Sequence, residues 1–102
     1  METPIERNLE EIIRLCRRYK VRRLAVFGSI LRGDFDPLRS DADFLVEFDA
    51  VPVALRMQNY FALREALASL LSRSVDLVED GAIRNPYILQ SVAEQQRVLY
   101  AA

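Results

Sequence analysis

The sequence predicts an α/β (α+β) fold: a small sheet covered by helices in the order α-β-α-β-α-β-α. Three observations carry this reading. Short apolar runs at residues 24–27, 44–48 and 74–79 have the length of strands rather than helices. Around them, apolar residues recur at the three- and four-residue spacing of helices that bury one face. No internal repeat, low-complexity tract or linker interrupts the 102 residues, so a single domain spanning 1–102 is expected.

Thr3-Pro4-Ile5-Glu6 reads as the first helix start. Thr3 is placed to cap, Pro4 suits the first helical position, and Glu6 completes a capping box. Ile5, Leu9, Ile12, Ile13 and Cys16 then form one apolar stripe along a continuous helix. The lone Cys16 cannot form an internal disulfide, and its place in the stripe predicts a buried structural thiol. Arg17, Arg18, Lys20, Arg22 and Arg23 follow as a basic cluster, read as charge on the helix C-terminus and a solvated turn.

Leu24-Ala25-Val26-Phe27 is the first strand, and Gly28-Ser29 turns it into a short helix that Gly33 ends. Residues 34–40 read as loop. The second strand runs to about Phe48, with Ala42, Phe44, Val46 and Phe48 on one apolar face. A connection at 49–52 leads into a long helix over roughly 54–72, with Tyr60, Leu63, Leu67, Leu70 and Leu71 at helical spacing; Tyr60 and Phe61 read as core or rim aromatics. The third strand, 74–79, places Val75 and Leu77 on one face and Asp76 on the other. After a turn at Asp80-Gly81, Asn85 caps and Pro86 opens a last helix with the stripe Ile88, Val92, Gln95 and Leu99.

Composition narrows the chemistry. The content is 51% hydrophobic and 28% charged, ordinary for a folded domain. A net charge of −1 argues against a direct nucleic-acid binder. No apolar run approaches the ~20 residues that span a bilayer, and no secretory signal is apparent, so no membrane association and a cytoplasmic location are expected. The chain has no histidine, which removes the commonest general base and zinc ligand. Any catalysis must run on carboxylates and hydroxyls.

Asp41 and Asp43 are spaced i, i+2 at the start of a strand, which puts both carboxylates on one face ~6–7 Å apart along the backbone. Two acids aimed at one spot repel unless a cation lies between them, and hard divalent ions are held by carboxylates together with substrate phosphates. Gly28 permits close backbone approach to a phosphate, and Ser29 at a helix start offers it a hydroxyl and N–H groups. Asp76 is a third acid, standing out of an apolar strand where it is costly unless exposed or paired. Convergence of the three would make room for two metal ions and in-line phosphoryl or nucleotidyl transfer. Taken singly, each piece also has a structural reading: turn and cap, solvated surface, and, for Arg32, an ion pair with Asp34 or Asp36.

Gly28-Ser29, Arg32-Gly33 and Ser40-Asp41-Ala42-Asp43 together resemble the signature of the DNA polymerase β-like nucleotidyltransferase superfamily. Within it the chain resembles the minimal nucleotidyltransferases (MNT), antitoxins usually encoded beside a HEPN-domain toxin. The resemblance continues through Ser74-Val75-Asp76-Leu77-Val78 and Arg84-Asn85-Pro86-Tyr87-Ile88. It departs at the spacer between Ser29 and Asp41, which is one residue longer than usual. The extra residue falls in a turn-rich stretch where insertion is tolerated. The resemblance implies a mixed sheet and a nucleotide site at Gly28, Ser29, Arg32 and Ser40. It also implies catalytic, Mg²⁺-binding acids at Asp41, Asp43 and Asp76, with ATP as substrate. The implied activity is transfer of AMP to a tyrosine hydroxyl of the HEPN toxin, an RNase. Neutralisation by binding alone and modification of a small molecule are the alternative readings, the latter lacking residues for a second domain to enclose its acceptor.

Overall fold

The computed structural model describes residues 4–27, 42–79 and 96–102. Helix α1 (Pro4–Arg7) and helix α2 (Leu9–Arg18) precede strand β1 (Val21–Phe27). Strand β2 (Ala42–Phe48), helix α3 (Val53–Leu71) and strand β3 (Val75–Glu79) follow, and strand β4 (Arg97–Ala101) comes last. The four strands form one sheet in the order β3-β2-β1-β4. β1 pairs antiparallel with both β2 and β4, while β2 and β3 are parallel. The sheet is therefore mixed, as the resemblance implied.

The apolar stripes meet on one face of the sheet. Ile12 and Cys16 of α2 and Leu63, Leu67 and Leu71 of α3 close over Leu24, Val26, Phe44, Val46 and Leu77. Most of these side chains are fully buried, and each contributes about 1.5–3 kcal/mol relative to exposure. Alternation along β2 leaves Asp43, Leu45 and Glu47 on the opposite face from this core. Burial in a wholly apolar setting pushes the Cys16 thiol up to about 12, so it stays protonated, in keeping with the structural role read from its position.

Three elements differ from expectation. The first helix is two pieces, divided at Asn8. The Asn8 side chain donates to the Pro4 carbonyl (2.8 Å) and its N–H to the Ile5 carbonyl, while its own carbonyl opens α2 by accepting from Ile12. An amide side chain that competes for backbone partners favours such an end. β1 begins at Val21 rather than Leu24, so Arg22 and Arg23 are strand residues, and Arg22 lies 3.8 Å from Glu47. Lys20, at φ 60°, makes the left-handed turn between α2 and β1. Leu99, read as a helical position, is instead buried in β4. The open edge of β1 accepts residues 97–101, whose Val, Leu and Tyr suit a pleated strand. The helices expected after Ser29 and at Asn85–Pro86 lie outside the described residues.

Candidate functional site

The site is built from one row of the sheet. Phe27 at the end of β1 pairs with Asp43 of β2, and Asp43 pairs in parallel register with Asp76 of β3. Directly paired residues share a face, and neighbouring strands lie about 4.8 Å apart, so the two carboxylates stand side by side. Register is what brings them together. The Ala42 N–H donates to the Ser74 carbonyl (3.1 Å), one residue before Asp43 and two before Asp76, and this bond starts the β2–β3 ladder. The apolar residues flanking the acids, Ala42, Phe44 and Leu77, are buried on the core side, which turns both acids to the other face. Asp43 is half-buried there and Asp76 is exposed.

Asp76 has no arginine or lysine partner among the described residues. Adjacent carboxylate oxygens are the donor set that a hard divalent cation takes, and the cation removes the repulsion between them. These two acids therefore fit Mg²⁺. Among the described residues they are two, and no group of three metal-binding side chains occurs there. Asp41, Gly28, Ser29, Arg32 and Ser40 lie outside the described residues. Phe27 directly precedes Gly28 in the chain, so the row containing the acids ends where the Gly-Ser pair begins.

Sequence reading missed the device that holds β3 in place. The Tyr60 hydroxyl of α3 donates to the Leu77 carbonyl at 2.6 Å, one residue beyond Asp76. Helical spacing had identified Tyr60 as an inward-facing aromatic, but a bond across 17 residues leaves no local signal. On the same helix, Arg56 approaches Glu79 at 3.8 Å.

Residues 9–99 match the family described as the nucleotidyltransferase domain. The chain belongs to that family. This nucleotidyltransferase is 45% identical over 80 residues to a candidate protein adenylyltransferase of Methanocaldococcus jannaschii, covering 78% of each chain. Its structure resembles that of a toxin–antitoxin crystallised with AMP-PNP, with a TM-score of 0.70 and 29% identity, over 93% of this chain and 74% of the other. It also resembles a chain from the structure of a tri-AMPylated Shewanella oneidensis HEPN toxin in complex with MNT antitoxin, with a TM-score of 0.62 and 28% identity, over 93% of this chain and 71% of that one. No described helix is long and apolar enough to cross a membrane.

Proposed function

We propose that this nucleotidyltransferase is an antitoxin that transfers AMP from Mg²⁺·ATP to a tyrosine hydroxyl of a HEPN-domain toxin and thereby silences it. The observation that carries the reading is the register pairing of Asp43 with Asp76 in a nucleotidyltransferase chain. The relatives named as adenylyltransferases and the AMPylated toxin complex support the choice of nucleotide and acceptor. In this reading Asp41, Asp43 and Asp76 hold the metal, while Gly28, Ser29, Arg32 and Ser40 line the triphosphate. When bound, divalent ions supply charge stabilisation on the departing pyrophosphate and lower the pKa of the acceptor hydroxyl. The sheet's part is positional: it fixes two carboxylates on adjacent strands before substrate arrives, so no side-chain search is needed in the transition state. The hydroxyl oxygen forms a bond to the α-phosphorus, the bridge to the β-phosphate breaks, and the hydroxyl proton passes to solvent. ATP and an RNase target make the cytoplasm the compartment this chemistry requires.

Intact-mass spectrometry of the HEPN-domain protein encoded beside this chain, incubated with the chain and Mg²⁺·ATP, tests the proposal. One or more adenylyl additions are expected with the wild type and none with Asp43→Asn. If the toxin gains no mass and is still neutralised by Asp43→Asn, the antitoxin acts by binding alone.

A further inference from the structure

Helices α2 and α3 treat solvent differently. α2 turns Glu10, Glu11, Arg14, Arg17 and Arg18 outward, whereas the first half of α3 exposes Val53 (60%), Met57 (54%) and Phe61 (49%), with Leu55 beside them. A helix that is apolar on its outer as well as its inner side has a partner to bury it against. Met57 and Phe61, one turn apart, form the common wall of two adjoining hollows. One, about 410 Å³, lies between α3 and β3 and is also lined by Tyr60, Leu77, Val78 and Glu79. The other, about 710 Å³ and shallower, is lined by Pro52, Ala54, Leu55 and Gln58. Met, Tyr, Phe and Arg are the residues enriched in protein interfaces and their hot spots.

Resting on the reading that the acceptor is a protein, we infer that this face of α3 is the seat of that acceptor, which meets it with an apolar helix bearing carboxylates. Two observations select that occupant. The first is hydrogen bonding: the Tyr60 hydroxyl already engages the Leu77 carbonyl, so β3 is not offered there as an edge for strand addition. Two adjoining hollows that share Met57 and Phe61, one turn apart on α3, instead suit neighbouring apolar side chains of an incoming helix. The second is charge. Residues 50–64 contain Arg56 and Arg64 and no acid. Arg56 is matched by Glu79, but the Arg64 guanidinium lies over the rings of Phe61 (5.2 Å) and Tyr60 (5.9 Å) and meets no carboxylate among the described residues. An acid on the partner completes it. A second copy of this chain seated on the same stretch would bring no acid to Arg64, because residues 50–64 of either copy contain none. Placement suits the reaction too. Leu77 lines the groove and Asp76 precedes it, so a protein seated here is held at the edge strand that carries an acid of the site.

Calorimetry of the full chain against the HEPN-domain protein encoded beside it tests the surface, with Met57→Glu, Phe61→Glu and Arg64→Glu as variants. All three sites are on the outside of α3, and circular dichroism checks that the helix persists. Each variant is expected to weaken association roughly thirtyfold or more, with Arg64→Lys losing less. Mg²⁺·ATP binding should stay unchanged. Affinities within threefold of wild type for all three variants overturn the inference. So does a wild-type dimer, seen by sedimentation, that Phe61→Glu converts to a monomer. Failure of the two readings is distinguishable. Association lost in the variants, but no transfer by the wild type, sinks adenylyl transfer and keeps the surface. Association intact in the variants, with transfer lost only in Asp43→Asn, sinks the surface and keeps the transfer.

Discussion

Asp43 and Asp76 face each other across one rung of the β2–β3 ladder, and like charges placed directly opposite each other repel. Exposed Asp76 gives the cleaner test. Asp76→Asn keeps the shape and removes one charge, so urea unfolding without metal should show a gain of about 0.2–1 kcal/mol. Added Mg²⁺ should reverse the order, stabilising the wild type and not the variant, and adenylyl transfer should be abolished. A loss of stability in metal-free buffer would show that Asp76 has a structural role. The acids themselves were legible, one as part of an i, i+2 pair and the other as a charge within an apolar strand. Which acid meets which was not, because that depends on the Ala42–Ser74 bond and the register it sets. Cys16 offers a pH test of the core. Its folded pKa of about 12 lies above the ordinary 9.0, so its contribution is complete below pH 9 and is lost as pH rises towards 12. The stability difference between wild type and Cys16→Ala should therefore be flat up to pH 9. Above that it should shrink by at most about 1.4 kcal/mol per pH unit, read from denaturation midpoints. A difference that stays constant to pH 11 would place the thiol in contact with water.

Elements were legible where one pattern fitted and misread where two did. The Tyr60, Leu63, Leu67, Leu70 and Leu71 spacing of α3 fits one helical face and would be split between the two faces of a strand, and the helix is there. Leu99 fits the helical series from Ile88 as well as it fits a strand, and five residues are too few to decide. The decision was tertiary: β1 had a free edge, and pairing there satisfies the backbone of residues 97–101. The break at Asn8 is similarly local chemistry inside an otherwise continuous stripe. Between elements, the bond from Tyr60 to the Leu77 carbonyl ties the middle of α3 to the edge strand of the site. Tyr60→Phe retains the ring and removes only that bond, so it should cost about 0.5–1.5 kcal/mol in urea unfolding. It should also reduce nucleotide affinity, since Asp76 then rests on a looser β3. Lower stability with wild-type affinity would confine the bond to a packing role.

On the scale of the whole molecule, strand order decides how the site responds to its substrate. β1 and β2 are central and β3 and β4 are edges, so the two carboxylates are divided between a core strand and an edge strand. An edge strand has neighbours on one side only and opens at lower free energy than the centre. Before substrate binds, the β3 amides at 75–79 should exchange hydrogen faster than those at 24–26 in β1 and 44–46 in β2. A ligand that binds only the paired state stabilises it in proportion to its occupancy, and a metal–nucleotide complex bridging Asp43 and Asp76 requires β3 to be paired. Mg²⁺·ATP should therefore slow exchange in β3 strongly. β4, at the opposite edge and two strands away from Asp43, is the internal control, because no proposed metal ligand lies on it. ATP with a chelator should do little, since the repulsion between triphosphate and carboxylates is then uncompensated. Hydrogen-exchange mass spectrometry resolves these segments. Equal slowing in β3 and β4 would mean that nucleotide tightens the fold globally instead of bridging the two acids, and the candidate metal site would have to be sought elsewhere on the sheet.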